Sequence, residues 1–187
     1  EVIFVASLDR PNPKILPLLF ASQTAKRLGA SKITLISPYL AYMRQDMEFH
    51  AGEGISSQYF AKLISNYFDK LITIDPHLHR LHDLNQIYSI PTSVLHATDN
   101  ISAWIQANIK NRVLIGPDME SVQWVEEIAH KSKSPYLILE KLRKSDTEVE
   151  ISNPNLDEYR TATPILVDDI ISTAMTMVET VRHLKSI

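Results

Sequence analysis

The sequence predicts an α/β fold built on mostly parallel sheets flanked by helices, and three observations carry that expectation. Short β-branched runs recur at 2–7, 32–37, 70–74, 112–116, 136–140 and 164–167. Amphipathic stretches at 14–28, 56–68, 101–109, 121–131 and 172–184 separate most of them and close the chain. Nearly every strand run ends in polar or ionisable residues: Asp9, Tyr39, Asp75, Asp118, Lys141 and the pair Asp168–Asp169. Strand–helix–strand alternation implies parallel strands with helices on both faces. Ligands of such open sheets sit beyond the carboxyl ends of the strands, so several acids gathered there read as a lined site.

Taken in order, EVIFVASL is a strand that begins at residue 1 with no basic-then-apolar segment before it, so polypeptide is expected upstream. A helix, the 32–37 strand, a second helix and the 70–74 strand follow. The least periodic region, 85–99, contains Pro91 and is expected to join two α/β units, giving halves at 1–92 and 93–187. The second half repeats the alternation, and 152–163 is expected as a loop before the last strand.

Composition removes several classes of function. A formal charge of −3 gives no basic field for non-specific nucleic-acid binding. With no cysteine, disulfides and thiolate zinc sites are excluded, and a cytoplasmic location is expected. No apolar run approaches the roughly 20 residues that span a bilayer, so no membrane partner is expected. The chain lacks GxxxxGK[ST] and GxGxxG; with four glycines in all, a nucleotide must be held by side chains and helix ends.

The chemistry concentrates in PILVDDIISTAMT, residues 164–176. Asp168 and Asp169 end a strand, where a cation or sugar hydroxyls could satisfy them; left alone, like charges that close push one pKa upward. The following hydroxyl residues open a helix whose free N–H groups suit a phosphate. The plainer reading is an N-cap at Ser172 or Thr173. Similarly, Arg44–Asp46 could be a surface pair worth under about 1 kcal/mol. His77, His79 and His82 could be solvated, or could suggest zinc, although no HExxH is present.

ILVDDIISTAMT resembles the ribose-phosphate loop of the phosphoribosyltransferase-type fold: a hydrophobic strand, two acids, then Thr-x-x-Thr. The resemblance gives Asp168 and Asp169 the ribose hydroxyls, and Thr173, Ala174, Met175 and Thr176 the 5-phosphate. The family usually has glycine where Ala174 and Met175 stand. SPYLAYMRQDMEFHAGEGIS resembles the PY-x-x-Y-x-RQD region of ribose-phosphate pyrophosphokinases, which implies that Arg44, Gln45 and Asp46 bind ATP. TIDPHLH and LIGPDMESV are similar to that family's metal segments, with His77 and Asp118 as the residues implied to bind Mg²⁺. LEKLRKSDTEVEI resembles its catalytic K-x-R flap, giving Lys141 and Arg143.

These matches occur in the family's order and cover about residues 2–184. They imply two similar phosphoribosyltransferase-like halves, both incomplete in this chain, and a ribose-phosphate diphosphokinase. ATP and ribose 5-phosphate are its expected partners, with Mg²⁺ as cofactor, and a homo-oligomer is its expected assembly. The alternatives are a catalytically silent regulatory homologue and a phosphoribosyltransferase that consumes phosphoribosyl diphosphate.

Overall fold

The computed structural model describes residues 1–143, 149–152, 156–171 and 173–185, with 140–143, 149–152 and 156 described through the backbone alone. It divides into two units, Glu1–His96 and Ala97–Ile187. Among the described residues no helix is long and apolar enough to cross a membrane.

The first unit is a four-stranded parallel sheet of β1 (Val2–Val5), β2 (Ile33–Ser37), β3 (Lys70–Ile74) and β4 (Thr92–Leu95), in that spatial order. Helix α1 (Pro11–Arg27) joins β1 to β2, and α2 (Ser56–Tyr67) lies between β2 and β3. Pro11 sits where a helix needs no donor. Gly29, at φ +95°, takes the left-handed position just past the end of α1.

Strand β4 departs from the sequence reading, which treated 85–99 as a connector. It pairs with β3 through Leu71↔Thr92 to Ile74↔Leu95. Thr92 and Ser93 give this strand no apolar run, which is why periodicity missed it.

In this unit α1 and α2 share one core. Leu18 and Leu19 of α1, and Phe60, Ala61 and Ile64 of α2, all pack into one core with Ile33, Leu35 and Leu71. The strands are added in one direction, and right-handed crossovers then bring every connection back over the same face. On the opposite face Ile3, Val5 and Leu95 remain exposed, Val5 by 71%.

The second unit adds strands on both sides of its first strand. Its parallel sheet has the order β6 (Tyr136–Ile138), β5 (Arg112–Gly116), β9 (Thr163–Leu166). Helices α3 (Thr98–Asn108) and α4 (Val122–Ser132) contribute Ile105, Val125 and Ile128 to a core with Leu114 and Val167. On the other face, Val113, Ile115 and Leu139 are joined by Leu184 of α5 (Met175–Lys185). The helices that follow the neighbouring strands β5 and β9 therefore go to opposite faces. That opens a crevice at the strands' carboxyl ends, the place where open α/β sheets bind ligands.

The run expected as one strand at 136–140 is divided. β6 stays in the sheet, whereas β7 (Glu140–Arg143) leaves it and pairs antiparallel with β8 (Val149–Ser152).

Gly116 ends β5 two residues before Asp118. A Cβ there would lie 2.7 Å from Ile138 Cδ1 and 3.1 Å from Val125 Cγ2, and would press on Ser121 Oγ. Gly116→Ala is expected to cost about 1–3 kcal/mol by overpacking. Denaturant unfolding should show a lower midpoint with an unchanged slope.

Candidate functional site

Each unit gathers polar groups at its own strand ends. In the first, Asp9 follows β1 and pairs with Lys14, whose ammonium also reaches Ser7 O at 2.8 Å. The hydrogen bond from Lys14 holds the Asp9 carboxyl below its ordinary range.

The loop after β2 is fastened mainly by Glu53. Its carboxylate accepts from the Phe49 and His50 amides, each at 3.1 Å, and lies 2.9 Å from His50 Nδ1. Gln45 O accepts from Ser57 N at 3.2 Å, which ties the loop to the start of α2. Arg44 is exposed and Gln45 partly so, while Asp46 turns inward to accept from Arg80 Nη1 at 2.9 Å. Asp75, after β3, has φ +38°, a costly backbone for a non-glycine residue, and its carboxylate meets His96 Nδ1 at 2.8 Å. His77 is half-buried two residues further on.

In the second unit, three of the expected acids come together at the β5/β9 crevice. Asp118 ends the β5 turn, with Oδ1 accepting from Glu120 N at 3.1 Å. Asp168 follows β9 and accepts from Asp169 N at 3.0 Å. Burial, then the neighbouring Asp169 and Asp118 charges, push the Asp168 carboxyl up to about 6. Among the described residues no three His, Asp or Glu side chains form a ready-made metal cage. A repelling trio short of a cage suits a cation that keeps most of its own water.

The loop beyond the acids leads into α5. Thr173 Oγ1 is 3.5 Å from Met175 N, a marginal cap that leaves this amide available; Ser172 lies outside the described residues. Ala174 has φ +61°. The left-handed residue thus falls on alanine, at one of the two positions where the resembled loop carries glycine, and α5 begins only at Met175 rather than at 172. Lys141 and Arg143 stand in β7 opposite Ile151 and Val149; their side chains lie outside the described residues.

The sequence reading did not single out three residues that the structure brings to these strand ends: Arg80, Phe49 and His96, the last of which lay in the segment read as a connector. Locating β4 would have exposed His96, because it is β4 that carries this residue to the end of β3.

Comparison with known proteins decides the family. The phosphoribosyl transferase domain matches residues 83–187, more than half of the chain, and the N-terminal domain of ribose phosphate pyrophosphokinase matches residues 1–67. The chain belongs to the ribose-phosphate pyrophosphokinase family.

Among curated relatives, the ribose-phosphate pyrophosphokinase of Methanopyrus kandleri is 35% identical over 98% of this chain and 63% of its own length. That of Saccharolobus solfataricus is 32% identical over 97% of this chain and 62% of its own. The chain thus spans about three-fifths of these relatives. The crystal structure of phosphoribosylpyrophosphate synthetase from Mycobacterium smegmatis shares the fold, with a TM-score of 0.84 at 24% identity, covering 98% of this chain and 60% of that one. Within the family frame, the RQD loop falls in the N-terminal-domain match, and the acids with the loop before α5 fall in the phosphoribosyltransferase match.

Alanine at φ +61° strains this pyrophosphokinase-family loop where glycine would not. Ala174→Gly is expected to stabilise the second unit by about 0.5–1 kcal/mol. Thermal unfolding tests it, and an unchanged or lower Tm would contradict the assigned strain.

Proposed function

We propose that this chain carries the reacting parts of a ribose-phosphate diphosphokinase. The reaction moves the β,γ-diphosphoryl group of ATP to the anomeric hydroxyl of ribose 5-phosphate. The anomeric oxygen attacks the β-phosphorus, the bond from that phosphorus to the AMP oxygen breaks, and the hydroxyl proton departs. The products are 5-phosphoribosyl 1-diphosphate and AMP.

The observation that carries this reading is the acid trio at the β5/β9 crevice, followed by a helix start whose amides suit a phosphate. Asp168 and Asp169 orient the ribose hydroxyls. Thr173 and Thr176, with the amides of Ala174 and Met175, take the 5-phosphate. In the first unit Arg44 and Gln45 meet the nucleotide, and Asp46 belongs to the same ATP segment. Each unit also offers one metal-linked residue, His77 after β3 and Asp118 after β5. Mg²⁺ fits the surplus negative charge around Asp168; when bound with ATP it would offset phosphate charge. Lys141 and Arg143 stabilise the charge that develops as the diphosphoryl group transfers, Arg143 with a planar fork suited to two oxygens. A cytoplasmic location and a homo-oligomer belong to the same reading.

Incubation of the chain with ATP, Mg²⁺ and ribose 5-phosphate tests the reaction. AMP formation that requires the sugar phosphate supports it. The left-handed Ala174 favours one second reading, a silent homologue with weakened phosphate binding. Absence of AMP together with stimulation of an active pyrophosphokinase would establish that alternative.

A further inference from the structure

We propose that Arg80 is a positioning residue that clamps the loop bearing Arg44 and Gln45 onto the turn bearing His77. The proposal deepens the nucleotide role of this loop and rests on that reading.

Between β2 and α2 the chain runs from residue 38 to 55 without a helix or strand. A loop of that length inside a compact unit needs fasteners to hold one shape. Most of its fasteners are internal: Glu53 gathers the Phe49 and His50 amides, and Gln45 Nε2 donates to Met47 O at 3.2 Å. Such bonds shape the loop but do not fix where it lies. The Tyr42 hydroxyl reaches Asn12 at 2.8 Å, anchoring the loop's beginning beside α1. Beside Arg44 and Gln45, Met43 is buried in the core and Gln45 O accepts from Ser57 N at 3.2 Å, while the side-chain anchor is Asp46, whose partner is 34 positions away.

That partnership has the marks of a clamp. The Asp46 side chain is only 2% exposed, so its charge has given up water and needs a cation in its place. Arg80 supplies it at 2.9 Å while its own side chain is 43% exposed, which leaves the guanidinium partly solvated. The same guanidinium lies 5.2 Å from the centre of the Phe49 ring. One planar group therefore holds the loop at two points, 46 and 49, immediately after Arg44 and Gln45. Arg80 itself stands three residues after His77, so the clamp ties the nucleotide segment to the metal-linked turn within a single unit. Lysine could meet Asp46 but has no flat face for Phe49.

Hydrogen exchange and calorimetry on the full 187-residue chain test the clamp. In Arg80→Ala the amides of Phe49, His50 and Gly52 are expected to exchange at least about tenfold faster, while those of β2 and β3 keep their protection. The Kd for Mg·ATP should rise about tenfold, that for ribose 5-phosphate should stay unchanged, and Arg80→Lys should fall between wild type and alanine. Asp46→Asn combined with Arg80→Ala should be no worse than the more damaging single change, as two ends of one contact require. If Arg80→Ala does not fold, Arg80→Lys and Phe49→Leu carry the same comparison.

Unchanged loop exchange in the folded variants overturns the clamp. Faster exchange with unchanged Mg·ATP affinity also overturns it as a positioning device. A wild-type chain that ignores Mg·ATP sinks the functional reading instead, and the exchange rates and double-variant comparison then judge the clamp alone.

Discussion

Replacing Lys141 by alanine is expected to lower kcat about a hundredfold while leaving the Kd of ribose 5-phosphate within about twofold. The asymmetry follows from when the ammonium acts. In the proposed reaction, ribose 5-phosphate is held by the acids beyond β9 and by the start of α5, and none of those contacts involves the β7–β8 ribbon. Negative charge on the transferring oxygens and on the departing AMP oxygen grows only as the β-phosphorus changes partners. A cation fixed at that point contributes on the order of 3 kcal/mol to the transition state, and little to the ground state of the sugar. Single-turnover AMP formation gives the chemical step, and calorimetry with ribose 5-phosphate gives the affinity. If rate and sugar affinity fall together, Lys141 is part of the sugar site or of the fold, and its proposed role is wrong. Arg143→Lys keeps a charge but loses the planar fork, so it should impair turnover by less than Lys141→Ala and by more than nothing.

How much of this molecule is legible in its sequence depends on the range of the forces involved. Strands β3 and β5 fall on the expected residues, and the four helices before the last crevice begin within about three residues of theirs, because periodicity is a local signal. Sheet order is not local. Nothing in alternating runs distinguishes β1-β2-β3-β4, which stacks α1 and α2 on one face, from β6-β5-β9, which divides α4 and α5 between two. Strand β4 escaped because its pairing with β3 outweighs the polar character of Thr92 and Ser93.

The candidate site divides along the same line. The acids beyond β9 were visible as neighbours in sequence, and their mutual repulsion could be anticipated from adjacency alone. The third charge, Asp118, arrives only because β5 and β9 are adjacent in space. Asp75 with His96, and Asp46 with Arg80, are likewise products of tertiary structure, separated by 21 and 34 positions. Ala174 shows a different limit. The sequence revealed a missing glycine, but only the backbone reveals which of the two positions takes positive φ.

Asp168→Asn should make the protein more stable at neutral pH and, in the proposed reaction, a poorer binder of ribose 5-phosphate. The sign follows from the direction of the shift. Asp168 titrates near 6 in the folded state, above the ordinary value of 3.8, because burial and the Asp169 and Asp118 charges oppose ionisation. A raised carboxyl favours folding below the unfolded pKa and loses that contribution as pH rises through about 4 to 6. At pH 7.5 the ionised group therefore weakens the fold, by on the order of 1 kcal/mol once its half exposure is allowed for. Asparagine removes the charge and keeps an acceptor for Asp169 N. Denaturant unfolding should find the variant more stable at pH 7.5, with the gap closing towards pH 4. Comparing the two chains matters, because Asp9, Glu53 and Asp69, all held below their ordinary range, weaken both chains alike as pH falls through the carboxylate range. The same substitution should weaken ribose 5-phosphate binding in the presence of Mg²⁺ at least tenfold, since in the proposed reaction the charge that opposes folding is the one that orients the ribose. A variant that gained no stability at pH 7.5 would show that the three carboxylates do not repel one another as their arrangement requires.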